Sequence, residues 1–126
     1  MQARVVTYTT YRFNFEKLDV YQHAIAFTND VFTTTLAFRR EVQYSLGDQF
    51  RRATLSICNN LAEGSDKATR NAKKQLYGYA LDSARECIPM ITLAHLQRQI
   101  DEATKDEFRS RCLHICNMLS RLIRSV

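Results

Sequence analysis

A chain of 126 residues is about the size of one domain, and with 45% apolar and 25% charged residues it can close one core but not two independent ones. Three glycines and one proline supply little material for turns, which argues against a many-stranded fold and favours long helices. The formal charge of +5 suits an acidic partner such as nucleic acid, and no run of about 18 uncharged apolar residues is present to cross a membrane.

Residues 1–13, MQARVVTYTTYRF, carry Arg4 and Arg12 but no acid, and set Val5, Val6, Tyr8, Tyr11 and Phe13 among threonines. This β-prone composition predicts an extended arm, and its aromatics predict packing on its own bundle or on a neighbouring subunit. The stretch has no apolar run of signal-peptide length, so a soluble cytoplasmic protein is expected.

Residues 14–126 are expected to form a single domain. Its first helix is predicted from Asn14, an N-cap candidate followed by Glu16 and Asp19, to about Phe38. Leu18, Tyr21, Ile25, Phe32 and Leu36 give it an apolar face, widened by Ala24, Phe27 and Val31. A second helix is expected from about Ser45 to Gly64, with Gly64 as a left-handed C-cap. After the loop 65–68, Thr69 is the expected N-cap of a third helix reaching about Gln99. Its apolar stripes keep phase across Pro89, so a kink is expected there rather than a split into two helices. In the last helix Asp101, Glu102, Asp106 and Glu107 lead and Arg121 and Arg124 close, in the order the helix dipole favours. Phe108, Cys112, Ile115, Leu119, Leu122 and Val126 form its heptad seam. The expected fold is all-α, an antiparallel up-down-up-down four-helix bundle with an extended N-terminal arm.

The second helix carries the most informative pattern. In QFRRATLSICNNLAEG, residues 49–64, the polar Gln49, Arg52, Ser56, Asn60 and Glu63 recur at helical steps beside an apolar stripe of Phe50, Ala53, Ile57 and Leu61. Such a seam serves either an internal network or a surface facing an oligomer axis or an RNA backbone. Ser83 and Glu86 on the third helix are the natural internal partners, with Arg52 and Glu86 as a shielded pair and Arg51 left for the surface.

Lys67, Arg70, Lys73 and Lys74 surround the start of the third helix, where each cation is disfavoured by about 0.3 to 1 kcal/mol. A sequence shaped by stability alone would place acids there, so the cluster is a candidate phosphate site. Arg39, Arg40 and Arg51 form a second candidate patch at the opposite end of an antiparallel bundle. Catalytic and metal candidates are poor. Cys112 and Cys116 share a helical face but His114 does not, and His23 and His95 lack partners at a useful spacing. With Cys58 and Cys87, these cysteines read as free thiols, three of them in the core. No glycine-rich phosphate loop, nucleophile elbow or HExxH motif occurs, so neither an enzyme, a cofactor nor a metal is expected.

The order FEKLDVYQHA, QFRRATLSICNNLAEG, YALDSARE resembles the four-helix-bundle family of 23S rRNA intervening-sequence proteins over residues 15–125. The family pattern is matched at Phe15, Leu18, Tyr21, Ala24, Gln49, Arg51, Arg52, Ala53, Ser56, Asn60, Ala62, Glu63, Gly64, Ala80, Ser83 and Glu86. Cys58 stands where the family usually has proline, and Pro89 is not part of the pattern. The resemblance implies a left-handed bundle that assembles as a homo-oligomeric ring, a pentamer, with basic surfaces meeting RNA or DNA and no catalytic residue. The family is similar to the accessory variability proteins of diversity-generating retroelements, which bind a reverse transcriptase and its RNA. Two functions therefore stand: a nucleic-acid-binding oligomer, and a protein-interaction scaffold or accessory subunit for a partner such as a reverse transcriptase.

Overall fold

The apolar periodicities close into four long helices in a computed structural model that describes residues 13–126, among which no strand occurs. Apart from Phe13, the arm expected over residues 1–13 lies outside the described residues.

Helix α1 spans Asp19–Thr35 and is shorter at both ends than expected. Asn14 is not its N-cap; Asn14–Lys17 is a separate 3-10 turn, closed by the Phe13 N–H donating to Glu16 Oε1 at 2.9 Å. Leu18, with extended ψ of 129°, separates that turn from α1. At the other end the run Thr33, Thr34, Thr35 is β-branched, and Thr35 Oγ1 donates to Val31 O at 2.8 Å, a bond that competes with helix continuation.

A single turn, α2 at Arg40–Val42, winds into a π-helical stretch at Gln43–Gly47 and then into α3 at Asp48–Ser65. The wide π turn is braced from both sides. Arg51 donates to Gln43 Oε1 at 2.8 Å and Gln43 O at 3.3 Å, and Gln43 Nε2 donates to Leu36 O at 3.3 Å.

Gly64 is not a left-handed cap, since no glycine among the described residues has positive φ and the helix continues through it. Its need for glycine is steric. A Cβ there would come within 2.7 Å and 2.8 Å of the Tyr77 ring. The end of α3 is sealed instead by Lys73 Nζ, which donates to Ser65 O at 2.9 Å.

Helix α4, Arg70–Leu96, starts as expected at Thr69, whose hydroxyl accepts from the Ala72 N–H at 3.1 Å. It runs unbroken through Pro89, which lies on an exposed face where water can reach the carbonyl it leaves unbonded. It ends three residues early because Arg98 takes a left-handed φ of 60° while the Gln99 N–H returns to Ala94 O at 2.8 Å. Helix α5, Glu102–Ser125, is capped by Asp101, which accepts from the Thr104 N–H at 2.8 Å; that bond holds the Asp101 carboxyl below its usual range.

Helix α3 packs on α1 and α4, and α5 packs on α1 and α4, so the bundle is a square in the order α1, α3, α4, α5. Phe27, Phe50 and Phe108 meet edge to face at its centre, with ring centroids 5.4 to 6.4 Å apart. Ala80, Ala84 and Ala94, all fully buried, let α4 approach its neighbours closely.

Candidate nucleic-acid interface

The polar seam of α3 divides between interior and solvent. Ser56 Oγ lies 2.8 Å from Ser83 Oγ on α4, and Asn60 Nδ2 donates to Ser56 O at 2.9 Å and to Ser56 Oγ at 3.0 Å. Gln49, Arg52, Glu63 and Glu86 are exposed. A helix turns about 100° per residue, which puts Ser56 and Asn60 on the edge of the seam nearer α4 and turns Arg52 and Glu63 away from the core. The expected Arg52 to Glu86 pair is therefore corrected: Arg52 pairs with Asp48 at 3.4 Å and its side chain is 75% exposed.

The two neighbouring arginines exchange their expected places. Arg51, expected at the surface, is 17% exposed and ties the π turn to α3. Arg52 is the one in solvent. Arg51 follows Phe50 on the flank that faces α1, where its stem can lie along the bundle while its guanidinium reaches Gln43.

The first basic patch is likewise thinner than expected. The Arg39 guanidinium donates to Gln97 O and Gln97 Oε1, both at 2.9 Å, and its N–H donates to Gln99 Oε1 at 2.7 Å. It also pairs with Glu41 at 3.6 Å, so Arg39 fastens the α1–α2 link to the α4–α5 link. Of Arg39, Arg40 and Arg51, only Arg40 stands exposed without an ion pair among the described residues.

At the other end, Lys67, Arg70 and Lys74 are exposed and enter no ion pair among the described residues. Lys73 is half-buried and committed to closing α3, which removes it from the free set. The three remaining cations surround the N-terminus of α4, whose first-turn N–H groups carry the positive end of the helix dipole.

The thiols are placed for packing. Cys58, Cys87 and Cys112 are buried, Cys116 is partly buried, and all are free. Cys112 donates to Ala84 O at 2.9 Å and Cys87 to Ser83 O at 3.4 Å. The neighbouring Cys116 thiol draws Cys112 down in pKa, but the neighbouring Cys87 thiol and burial outweigh this and push it up to about 12. Cys116 is pushed up by the neighbouring Cys112 thiol and by burial. Thiols held protonated are poor nucleophiles and poor ligands. His23 and His114, distant in sequence, meet edge to face across α1 and α5 with centroids 4.9 Å apart. Among the described residues no group of three or more His, Cys, Asp or Glu is placed to hold a metal ion, and no helix is long and apolar enough to cross a membrane.

Arg111 escaped the sequence reading. It bonds Asp30 at 2.7 Å and Glu107 at 3.1 Å and stands over the Phe27 ring at 5.4 Å, a junction of α1 and α5. Only the Glu107 spacing was visible as an i,i+4 pair.

Fold and polar residues together define an antiparallel helical bundle that keeps its polar groups between helices and on its surfaces. The profile of the family described as 23S rRNA-intervening sequence protein matches residues 16–121, and the chain belongs to that family. Among solved structures, the crystal structure of a protein with unknown function from the S23 ribosomal protein family of Bacteroides thetaiotaomicron is similar, with a TM-score of 0.77. The match covers 83% of this chain and 95% of that one at 17% sequence identity, a likeness of fold. No curated protein matches the chain.

Proposed function

We propose that this protein is a non-enzymatic, cytoplasmic homo-oligomer that binds RNA or DNA through phosphate contacts without reading bases. The observation that carries this reading is the clustering of Lys67, Arg70 and Lys74, exposed and without ion pairs among the described residues, around the start of α4, whose first turn holds no acid. Glu63 and Asp66 stand close in sequence, yet neither pairs with the cluster among the described residues. Cations left free where the helix dipole opposes them are explained by an anionic partner. Reversing them in a Lys67→Glu, Arg70→Glu, Lys74→Glu variant, with Lys73 kept for its structural bond, is expected to abolish RNA retention in a gel-shift assay. Unchanged retention would sink the reading, and a protein partner captured through high salt and nuclease would favour the scaffold, such as a reverse transcriptase accessory, in its place.

Self-association is the second half of the proposal. Ile25, Phe32 and Leu36 lie on the flank of α1 that turns toward α3, and Leu55 lies on the facing flank of α3; they are 39%, 39%, 74% and 42% exposed. An apolar strip of this kind is what a second copy would cover. A ring of five is the assembly the family suggests, and light scattering on the wild type and on Phe32→Lys tests it: the wild type should sediment and scatter as an oligomer and the variant as a smaller species.

A further inference from the structure

Helices α4 and α5 meet along a seam whose outer edge carries cations from both sides. On α4, Arg70, Lys74 and Arg85 follow at steps of 4 and 11 and so share one flank. That flank is the one turned to α5, because its neighbour Ala84 accepts the Cys112 thiol at 2.9 Å. On α5, Arg109 and Arg124 stand on the flank turned to α4. Because Ala84 lies level with Cys112, Arg85, the next residue on α4, and Arg109, one turn before Cys112 on the antiparallel α5, stand near the same level of the seam.

All five cations are exposed, and none enters an ion pair among the described residues. Of the acids of α4, Glu86 falls outside this flank and Asp82 stands exposed at its outer rim, one turn from both Gly78 and Arg85; on α5, Glu102 and Asp106 lie beyond Arg109, with Asp106 paired to Lys105 at 3.6 Å. Two groups of charge result. Arg70, Lys74 and Arg124 sit at one end, and Arg85 and Arg109 about 16 Å along the axis, from eleven residues at about 1.5 Å each. Between them the floor is open, with Asp82 on its outer rim: a Cβ added at Gly78 would meet nothing within 4 Å. No aromatic lies on the flank, since Tyr79 points to the other side of α4, so bases of an unpaired strand would find no stacking platform.

We infer that the α4–α5 seam is a track for the phosphate backbone of a nucleic-acid duplex, with Arg85 and Arg109 as its second anchor beyond the Lys67, Arg70, Lys74 cluster. The inference rests on the nucleic-acid reading above and deepens it. Cations in two groups at fixed spacing along two adjacent antiparallel helices can follow a backbone of fixed shape, and sequence is not read. The seam also lies on the side of the square opposite the apolar α1–α3 flank, so self-association and nucleic-acid binding use different faces.

The test measures fluorescence anisotropy of the full chain with a labelled RNA duplex of about 16 base pairs and with one of its strands alone, between about 50 and 200 mM salt. Arg85→Gln with Arg109→Gln is expected to weaken duplex binding at least tenfold and to lower the slope of log affinity against log salt by about two, one for each lost phosphate contact. Arg98→Gln, which removes a charge beyond the C-terminal end of α4, is expected to change neither. The wild type should prefer the duplex to the strand. Duplex binding unchanged in the double variant but lost in the Lys67, Arg70, Lys74 variant would overturn the seam and leave the nucleic-acid reading standing. Tighter binding of the single strand would overturn the duplex assignment, and no binding by the wild type would overturn both. Unchanged melting of the double variant excludes misfolding, since neither arginine has an ion-pair partner to lose.

Discussion

Ser56 Oγ on α3 and Ser83 Oγ on α4 sit 2.8 Å apart beside Asn60, which donates to Ser56 Oγ at 3.0 Å, with Ser83 only 8% exposed. The pair fixes the register of the two helices, because a slide by one turn would leave both hydroxyls against hydrocarbon. Removing the Ser56 hydroxyl strands that of Ser83, whereas Ser56 keeps the bond from Asn60 when the Ser83 hydroxyl is removed. Ser56→Ala and Ser83→Ala are each expected to cost about 1 kcal/mol, and the double variant less than their sum. Urea unfolding of the four-member cycle checks this, and strict additivity would show that the bond contributes nothing of its own.

The same substitution should act in opposite directions at two glycines. Gly64→Ala would push a methyl to within 2.7 Å of the Tyr77 ring and 3.2 Å of Leu76 Cβ, an overpacking expected to cost about 1 to 3 kcal/mol. Gly78→Ala meets open space in the middle of α4 and should stabilise by about 0.5 to 1 kcal/mol through helix propensity. Melting temperatures of the two variants must move apart for this account of Gly64 to hold.

Arg51 and Arg52 give a further contrast. Arg51 is largely covered and makes two bonds to Gln43 across the π turn, so Arg51→Ala should cost about 1 to 2 kcal/mol by leaving that turn unbraced. Arg52, 75% exposed and paired with Asp48, is screened by water, and Arg52→Ala should change stability by no more than about 0.5 kcal/mol. Hydrogen exchange at the amides of 43–47 should accelerate in the first variant alone. Equal effects would return Arg52 to the interior.

What the sequence revealed of this arrangement depended on how local the cause was. Thr69 and Asp101 cap their helices through contacts three residues away, and those starts were legible. The Ser56–Ser83 contact was legible because the hydroxyls recur in phase with apolar stripes. The exchange of Arg51 and Arg52 was not, since adjacent residues lie about 100° apart and a seam alone does not say which edge faces a neighbour. Gly64 before a polar loop reads as a cap, and only Tyr77, arriving from another helix, shows that it makes room for a ring. The charged α4–α5 seam needed the pairing of helices whose facing residues are 28 positions apart, as in Cys112 and Ala84.

The cysteines at that seam predict how stability responds to alkali. Cys112 is pushed up to about 12 from an ordinary 9.0, and Cys116 and the buried Cys58 are raised as well. A folded pKa above the unfolded one means that the folded chain holds its protons longer. The contribution is therefore fully present below about pH 9 and is lost as pH rises toward 12, where unfolded thiols ionise and folded ones cannot. Tyr77 and Tyr21, raised by burial, act in the same direction at still higher pH. A melting temperature that is flat from pH 7 to 8.5 and falls steadily above 9 is expected. Cys112→Ala should make that fall shallower, since alanine has no proton to lose, whereas an unchanged slope would mean that the seam's thiols ionise as readily folded as unfolded.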